Sequence, residues 1–229
     1  MMKELNERNC CSLLMIKAEL ILPLCLPLCV SWRMIYLKQR FRILLTDSRL
    51  PPLRQVCCKS VSYKDFFIQE IADILSGHDI YERERIDGQI PYITATANNN
   101  GIGYFVANIN ETLEENCLSV NRNGSVGYCH YHPYKALYGN DTRKLRPHVP
   151  NKYISLYISE AISSQRCKYG YGYKMGTGRL KRQKIMLPVT SDGNPDWAYM
   201  EAYMRGIESK ALLTAIKHFA NRFPEYISA

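Results

Sequence analysis

Two runs of β-favouring residues, each broken by a turn signal, restrict this chain more than any other part of it. Ile90-Pro91-Tyr92-Ile93-Thr94-Ala95-Thr96 is rich in branched and aromatic side chains, Asn98-Asn99-Asn100-Gly101 makes a loop, and Ile102 to Ala107 supplies a second run. The pattern predicts a hairpin with Pro91 near the start of its first strand. Further on, Cys117-Leu118-Ser119-Val120 and Ser125 to Tyr131 flank Asn123-Gly124, a dipeptide that accepts the positive φ a tight hairpin turn demands. Two hairpins imply a substantial sheet.

Helical signals surround these strands. After Pro150-Asn151, Ile154, Tyr157, Ile158, Ala161 and Ile162 recur at three- or four-residue spacing, with Asn151 placed as an N-cap. Ile185 to Val189 reads as a short apolar strand. Asn194-Pro195-Asp196-Trp197 has the form of a cap followed by proline at the first helical position, opening a final helix from Pro195 to Arg222 with an imperfect apolar face. Near the start of the regular sequence, Phe66-Phe67-Ile68 with Ile71, Ile74 and Leu75 fits two readings: a short strand plus a helical turn, or one amphipathic helix ending at Gly77.

Between the first of these helices and the last strand lies Arg166 to Lys184, nineteen residues with seven Lys or Arg and no acid, in which Tyr169, Tyr171 and Tyr173 alternate with glycines. That combination suits a phosphate-rich partner: cations displace the counterions of a nucleic-acid backbone, tyrosines stack on or hydrogen-bond to bases, and glycine lets the main chain approach closely. A solvated, flexible basic loop has the same composition. The charge distribution supports the first reading. The chain carries a formal +9, yet residues 61–165 hold nine bases against twelve acids and residues 185–229 hold four against five, so beyond residue 60 the excess is concentrated in this one segment. A focused patch produces a stronger field than a diffuse excess.

Residues 1–60 carry a further +6 (ten bases, four acids) and six of the nine cysteines, and they read as a poorly ordered extension. Leu20 to Val30 is apolar throughout, but eleven residues interrupted by Pro23 and Pro27 fall short of the roughly 20 a spanning helix needs. No cleavage pattern follows it. An odd cysteine count with adjacent pairs argues against a secreted disulfide framework and for reduced thiols in a cytoplasm. The sequons at Asn110, Asn123 and Asn140 then read as polar turns.

Sites with other chemistry lack their spacing. Cys129-His130-Tyr131-His132 has no spaced partner pair, and on a strand Cys129 faces away from both histidines, so a zinc site does not assemble. Gly170, Gly172, Gly176 and Gly178 match neither phosphate-loop spacing nor G-x-G-x-x-G. No nucleophile signature is present either, so no catalytic residue, metal or cofactor is expected.

Taken in order, Tyr63-Lys64-Asp65-Phe66-Phe67-Ile68, Gly88-Gln89-Ile90-Pro91-Tyr92-Ile93-Thr94, Asn99-Asn100-Gly101-Ile102, Gly124-Ser125, Asn151-Lys152-Tyr153-Ile154, Tyr169-Gly170-Tyr171-Gly172, Arg179-Leu180-Lys181, Ile185-Met186-Leu187-Pro188-Val189 and Gly193-Asn194-Pro195-Asp196-Trp197 with Met200-Glu201 resemble one target recognition domain. Such domains occur in the DNA specificity subunits of type I restriction-modification systems and in related type II modules. The resemblance covers residues 61–207. It implies an α+β domain with a strongly twisted mixed β-sheet, flanking helices and a C-terminal helix, divided here as an extension over 1–60, the recognition domain over 61–194 and a spacer-like helix over 195–229. It also implies a non-catalytic subunit that binds double-stranded DNA and works with a methyltransferase subunit and a restriction subunit. Specificity subunits of this family carry two such domains separated by long helices, whereas this chain has one, so a half-subunit pairing with a second copy and a truncated fragment both fit.

Within that reading, Arg179, Lys181, Arg182 and Lys184 suit phosphate positioning. Asn98, Asn99 and Asn100 at a hairpin tip, with Tyr171 and Lys174 in the glycine-rich loop, suit base contacts, since Asn pairs with adenine and Lys with guanine. Thr94 and Tyr169 adjoin them and complete the candidate set. For the asparagines, plain turn formation is the alternative. For the whole segment, the alternative function is single-stranded nucleic-acid binding on tyrosine platforms. A membrane-associated fragment anchored by residues 20–30 is the third reading.

Overall fold

The computed structural model describes residues 61–222; the extension over 1–60, its apolar run and its six cysteines lie outside the described residues. Tyr63–Phe67 forms strand β1, a single helical turn α1 (Ile68–Ile71) follows, and strand β2 (Ala72–Ser76) continues directly. Of the two readings open for this stretch, strand plus helical turn is the one realised. Ile68 and Ile71 are both buried, and the Glu70 carboxylate turns back to accept the Phe67 amide at 2.7 Å, so the turn is fixed at both ends and redirects the chain from one sheet into another.

Both expected hairpins are present. β3 (Asp87–Ile93) pairs antiparallel with β4 (Ile102–Val106), and β5 (Cys117–Asn121) pairs antiparallel with β6 (Cys129–His132). At the first tip Asn99, Asn100 and Gly101 all have positive φ, +50°, +54° and +79°, a conformation that asparagine and glycine tolerate and branched residues do not. Two short strands follow, β7 (Leu137–Tyr138) and β8 (Thr142–Pro147). The strands divide into a four-stranded sheet ordered β2-β8-β5-β6, a three-stranded sheet ordered β4-β3-β7, and the pair of β1 with β9 (Lys184–Pro188). Mixed pairing enters through β3 and β7, which run parallel.

Helix α2 (Lys152–Ser163) covers one face. Ile154, Ile158 and Ile162, spaced four apart, are buried in the main core with Leu118, Val120, Cys129, Tyr131 and Leu145. The β5–β6 register explains which residues go there: Leu118 opposes Tyr131 and Val120 opposes Cys129 on one face, while Ser119 and His132 lie on the other and meet at 2.8 Å through Oγ and Nε2. Burial holds the His132 imidazole well down, to about 3, so it is neutral. The exposed edge of β6 is closed by α2, whose Ser163 hydroxyl accepts the Cys129 amide while Ser159 donates to the Cys129 carbonyl.

Asn151 caps α2 as its position predicts, its side-chain oxygen accepting from the Tyr153 and Ile154 amides at 2.9 and 3.4 Å, while its nitrogen donates to Glu201 at 3.0 Å. Replacing Asn151 with alanine is expected to cost about 1–2 kcal/mol, the upper half of the N-cap range because the Glu201 bond goes too. Asn151→Ser, which keeps a capping oxygen and places no second carboxylate against Glu201, should recover the part due to the cap. Urea unfolding of the two variants checks this; equal losses would show that the contact to Glu201, and not the cap, carries the effect.

Helix α3 (Thr177–Arg182) is short, and the final helix α4 runs Trp197–Arg222. It starts two residues after Pro195. Pro195 stays extended because it bridges to Val189 and the Asp196 amide donates to the Pro188 carbonyl; Asp196 then caps the helix by accepting the Tyr199 amide at 2.9 Å. Contacts group Lys59–Arg205 into one compact unit, and the candidate site lies wholly within it.

Candidate nucleic-acid interface

The basic stretch is anchored, and a solvated loop is not what it forms. Met175 and Leu180, two apolar residues among its cations, are fully buried in the main core. Around these anchors the backbone makes a turn at Arg166–Lys168, a two-residue bridge between Gly170 and Tyr173, and then α3. Buried Arg143 reaches from β8 to hold the start of α3, its Nε donating to the Thr177 hydroxyl at 2.7 Å. Arg179 lies 3.7 Å from the centre of the Tyr173 ring and donates from Nη1 to the Lys174 carbonyl at 2.7 Å, so it braces the loop that precedes it.

This segment forms one wall of an open cleft of about 520 Å³. Lys174, Arg179 and Arg182 contribute cations, and Gly176 and Gly178 contribute bare backbone. The opposite wall is the β5–β6 turn, through Arg122 and Asn123. Four cations and no carboxylate line the space. The turn is held from behind by Asp141, whose carboxylate accepts from Arg122 Nη2 at 3.2 Å and from Asn123 Nδ2, and whose carbonyl accepts the Arg122 and Asn123 amides. On its other side the turn joins the first hairpin: Ser125 N donates to the Ala95 carbonyl and Asn121 Nδ2 to the Thr96 carbonyl, at 3.2 and 3.0 Å.

The residues singled out from sequence divide accordingly. Lys174, Arg179 and Arg182 converge on the cleft, whereas Lys181 is exposed on α3 without lining it. Lys184 sits in β9 and pairs with Asp65 on β1 at 2.5 Å, a contact that holds the Asp65 carboxyl below its ordinary value. Tyr171 is 95% exposed, with the Lys174 ammonium 5.8 Å from its ring. Tyr169 turns inward, its ring stacked on Tyr173 and its hydroxyl bonded to Gln183. Asn98 and Asn99 are exposed at the first hairpin tip, but the Asn100 amide nitrogen is taken by the Tyr131 carbonyl and the Tyr134 hydroxyl at 3.2 and 3.1 Å. Thr94 is half-buried, its hydroxyl lying where a β-carbon on Gly103 would sit.

Two cleft residues carry no local sequence signal of that role. Arg122 and Asn123 precede a glycine at a hairpin turn, and turn formation accounts for an Asn-Gly pair by itself; only the long-range approach of residues 174–182 turns them into a wall.

Other reactive groups lie elsewhere. Cys117 and Cys129 are buried, which pushes both thiols up to about 12, so neither is a thiolate at neutral pH. Among the described residues no group of His, Cys, Asp and Glu is placed to hold a metal ion, and no helix is long and apolar enough to cross a membrane.

The α+β unit that carries this cleft has clear counterparts. Residues 60–218 match the model of the type I restriction modification DNA specificity domain, and the chain belongs to that family. It is 41% identical over 156 residues to the S.BcgI specificity subunit of a type II restriction enzyme from Heyndrickxia coagulans, covering 67% of this chain and 46% of that one. In fold it is similar to the S subunit of a type I restriction-modification system from M. genitalium, with a TM-score of 0.52 at 18% identity over 96% of this chain and 54% of the other. The chain thus spans about half the length of the relatives it matches.

Proposed function

We propose that the cleft binds double-stranded DNA in a sequence-specific manner, and that the chain acts as a single-domain specificity subunit directing the methyltransferase and endonuclease of a restriction-modification system to their site. The observation that carries this reading is the cleft itself: two elements far apart in sequence place Arg122, Lys174, Arg179 and Arg182 around one acid-free space. Cations so arranged draw a phosphate backbone into the cleft and leave room for a base contact from either wall. The glycines add support. Gly170, Gly172, Gly176 and Gly178 have no positive φ, and a β-carbon on any of them would meet nothing within 4 Å, so neither backbone conformation nor packing within the protein requires glycine there. Close approach by a bound backbone does.

The chain supplies recognition and its partners supply chemistry, in a cytoplasmic complex with a methyltransferase subunit and a restriction subunit. A second recognition domain, from another copy of this chain or from a longer chain of which this is part, reads the other half of a bipartite site. Single-stranded binding is the second reading, favoured by the exposure of Tyr171. It is the weaker one, because Tyr169 is tied down through its hydroxyl and one face of Tyr173 is occupied by Arg179, which leaves one free platform where single-strand binders use several.

Selection from randomised duplexes by the complex with its methyltransferase, combined with competition by single strands of the same sequence, tests the proposal. Enrichment of one sequence, with single strands competing at least tenfold more weakly, is the expected result. Enrichment of no sequence, or equal competition, would overturn it.

A further inference from the structure

Arg122 is better placed to read a base than to hold a phosphate. Three consecutive residues at the end of β5 and its turn carry buried polar atoms that find no hydrogen-bond partner among the described residues: Asn121 Oδ1, Arg122 Nε and Asn123 Oδ1. Leaving a buried polar atom unpaired costs about 1–3 kcal/mol, and three in a row make this turn the part of the cleft wall whose polar groups the described residues satisfy least. The same residues are held firmly. Asp141 accepts from Arg122 Nη2 and from Asn123 Nδ2, and its carbonyl accepts both backbone amides. Bare backbone at Gly124 adds to this: its φ is +56°, and a β-carbon there would come within 2.6 Å of the Ala95 carbonyl, so the turn cannot shift without moving the first hairpin.

A guanidinium fixed in this way offers one directed contact at one place, which suits the edge of a base. One N–H of Arg122 is spent on a carboxylate that sets its orientation, Nε is buried, and the partly exposed side chain lines the cleft. Guanine offers two acceptors, O6 and N7, on its major-groove edge, the pattern such a fork fits. Asn123 cannot read adenine in the same state, since its Nδ2 is committed to Asp141.

Building on the DNA-binding reading above, we infer that Arg122 reads a guanine at one position of the recognised sequence, and that Asp141 is its positioning residue. This role lies outside the glycine-rich segment, on the wall that local sequence does not mark. It makes the hairpin turn a specificity element and the 174–182 segment chiefly a phosphate-holding one.

The test is the randomised-duplex selection repeated, in complex with the methyltransferase, for wild type, Arg122→Ala, Arg122→Lys and Asp141→Asn, with thermal unfolding of each variant to establish that it is folded. The expected result is that Arg122→Ala relaxes a guanine preference at one position by about 10- to 100-fold and leaves the other positions intact. Arg122→Lys should restore it only in part, because a lysine reaches guanine without the fixed planar fork. Asp141→Asn should relax the same position to a smaller degree. Uniform weakening across sequences with a salt slope reduced by about one would make Arg122 a phosphate contact and overturn the inference, as would an unchanged preference in the Arg122 variants. A wild-type complex that enriches no sequence would overturn the function first and this assignment with it, so the two failures are told apart by the wild-type lane.

Discussion

Glu114→Gln is expected to cost about 3 kcal/mol of folding stability. Lys144 occupies the middle of β8 and is only 3% exposed. Its ammonium is compensated by Glu114 at 2.6 Å and by the Thr112 carbonyl at 3.2 Å, and the same carboxylate takes Arg146 Nε at 2.5 Å and Nη2 at 2.9 Å. Removing one partner of a buried pair costs about 3–5 kcal/mol, because the other charge stays buried without compensation. Glu114 is partly exposed, which places the expectation at the lower end. Lys144→Met removes the buried charge instead and leaves Glu114 paired with Arg146, so it should cost far less. Urea unfolding at neutral pH compares them; a Glu114→Gln loss under 1 kcal/mol would mean that Lys144 reaches water by another route.

The same cluster sets the acid stability. Hydrogen bonding from Arg146, then from Lys144, holds the Glu114 carboxyl down at about 2 against an unfolded value of 4.5. A carboxylate depressed in the folded state contributes stability that is fully present above pH 4.5 and lost as the pH falls from there towards 2. Glu114→Gln should therefore flatten the wild-type decline in exactly that window; an unchanged slope would assign the acid sensitivity to other carboxylates.

Neutralising Lys174, Arg179 and Arg182 together should reduce DNA affinity more than any other surface change. If each meets a phosphate, the salt slope falls by about 0.9 per contact, or about 2.7 in all. Over a fourfold rise in salt, the triple variant then loses roughly 40-fold less affinity than wild type. Sequence preference should survive in weakened form if Lys174, placed by the sequence among the base contacts, meets a phosphate in the cleft it shares with Arg179 and Arg182, and loss of preference at one position would return it to base reading. Fluorescence anisotropy across a salt series with specific and unrelated duplexes measures both. A triple variant with the wild-type slope would show that the cleft does not hold the backbone. Arg179 also braces the loop through Tyr173 and the Lys174 carbonyl, so Lys174→Gln with Arg182→Gln alone, expected to lower the slope by about 1.8, separates loss of charge from loss of loop geometry.

Much of the architecture is written locally. The capping Asn151 and the four-residue spacing of Ile154, Ile158 and Ile162 specify helix α2 through short-range sterics and burial, and it formed where the pattern placed it. After Asn123-Gly124 the second hairpin formed too, but its return strand starts at Cys129 and not at Ser125, because residues 122–128 make a longer loop in which Gly124 and Gly127, and not Asn123, take positive φ. β8 is the instructive failure. Thr142-Arg143-Lys144-Leu145-Arg146 looks like surface, yet it is a central strand between β2 and β5. Its charges are tolerated only because Glu114 and Thr177 come from elsewhere to meet Lys144 and Arg143, and no local pattern encodes partners about thirty residues away. The interface follows the same rule. Cation density at 166–184 is visible in the sequence, but the division of labour within it is not: Tyr169 is drawn inward by Gln183 and Lys184 is paired on the surface with Asp65, although composition does not distinguish them from Tyr171 and Lys174. The short helix α3 was hidden among glycines, since two buried residues, Met175 and Leu180, are too few to show a period.

The pairing of β1 with β9 brings the two ends of the recognition unit together: Tyr63 opposes Pro188, and the Val189 amide donates to the Ser62 carbonyl at 2.9 Å. The polypeptide therefore enters and leaves through a single doorway. A unit built this way can be spliced into a host chain, duplicated or exchanged for another as a cassette, because the distance its neighbours must bridge is one hydrogen bond wide whatever the interior has become. Change in what the cleft reads is thereby uncoupled from change in what the flanking segments connect.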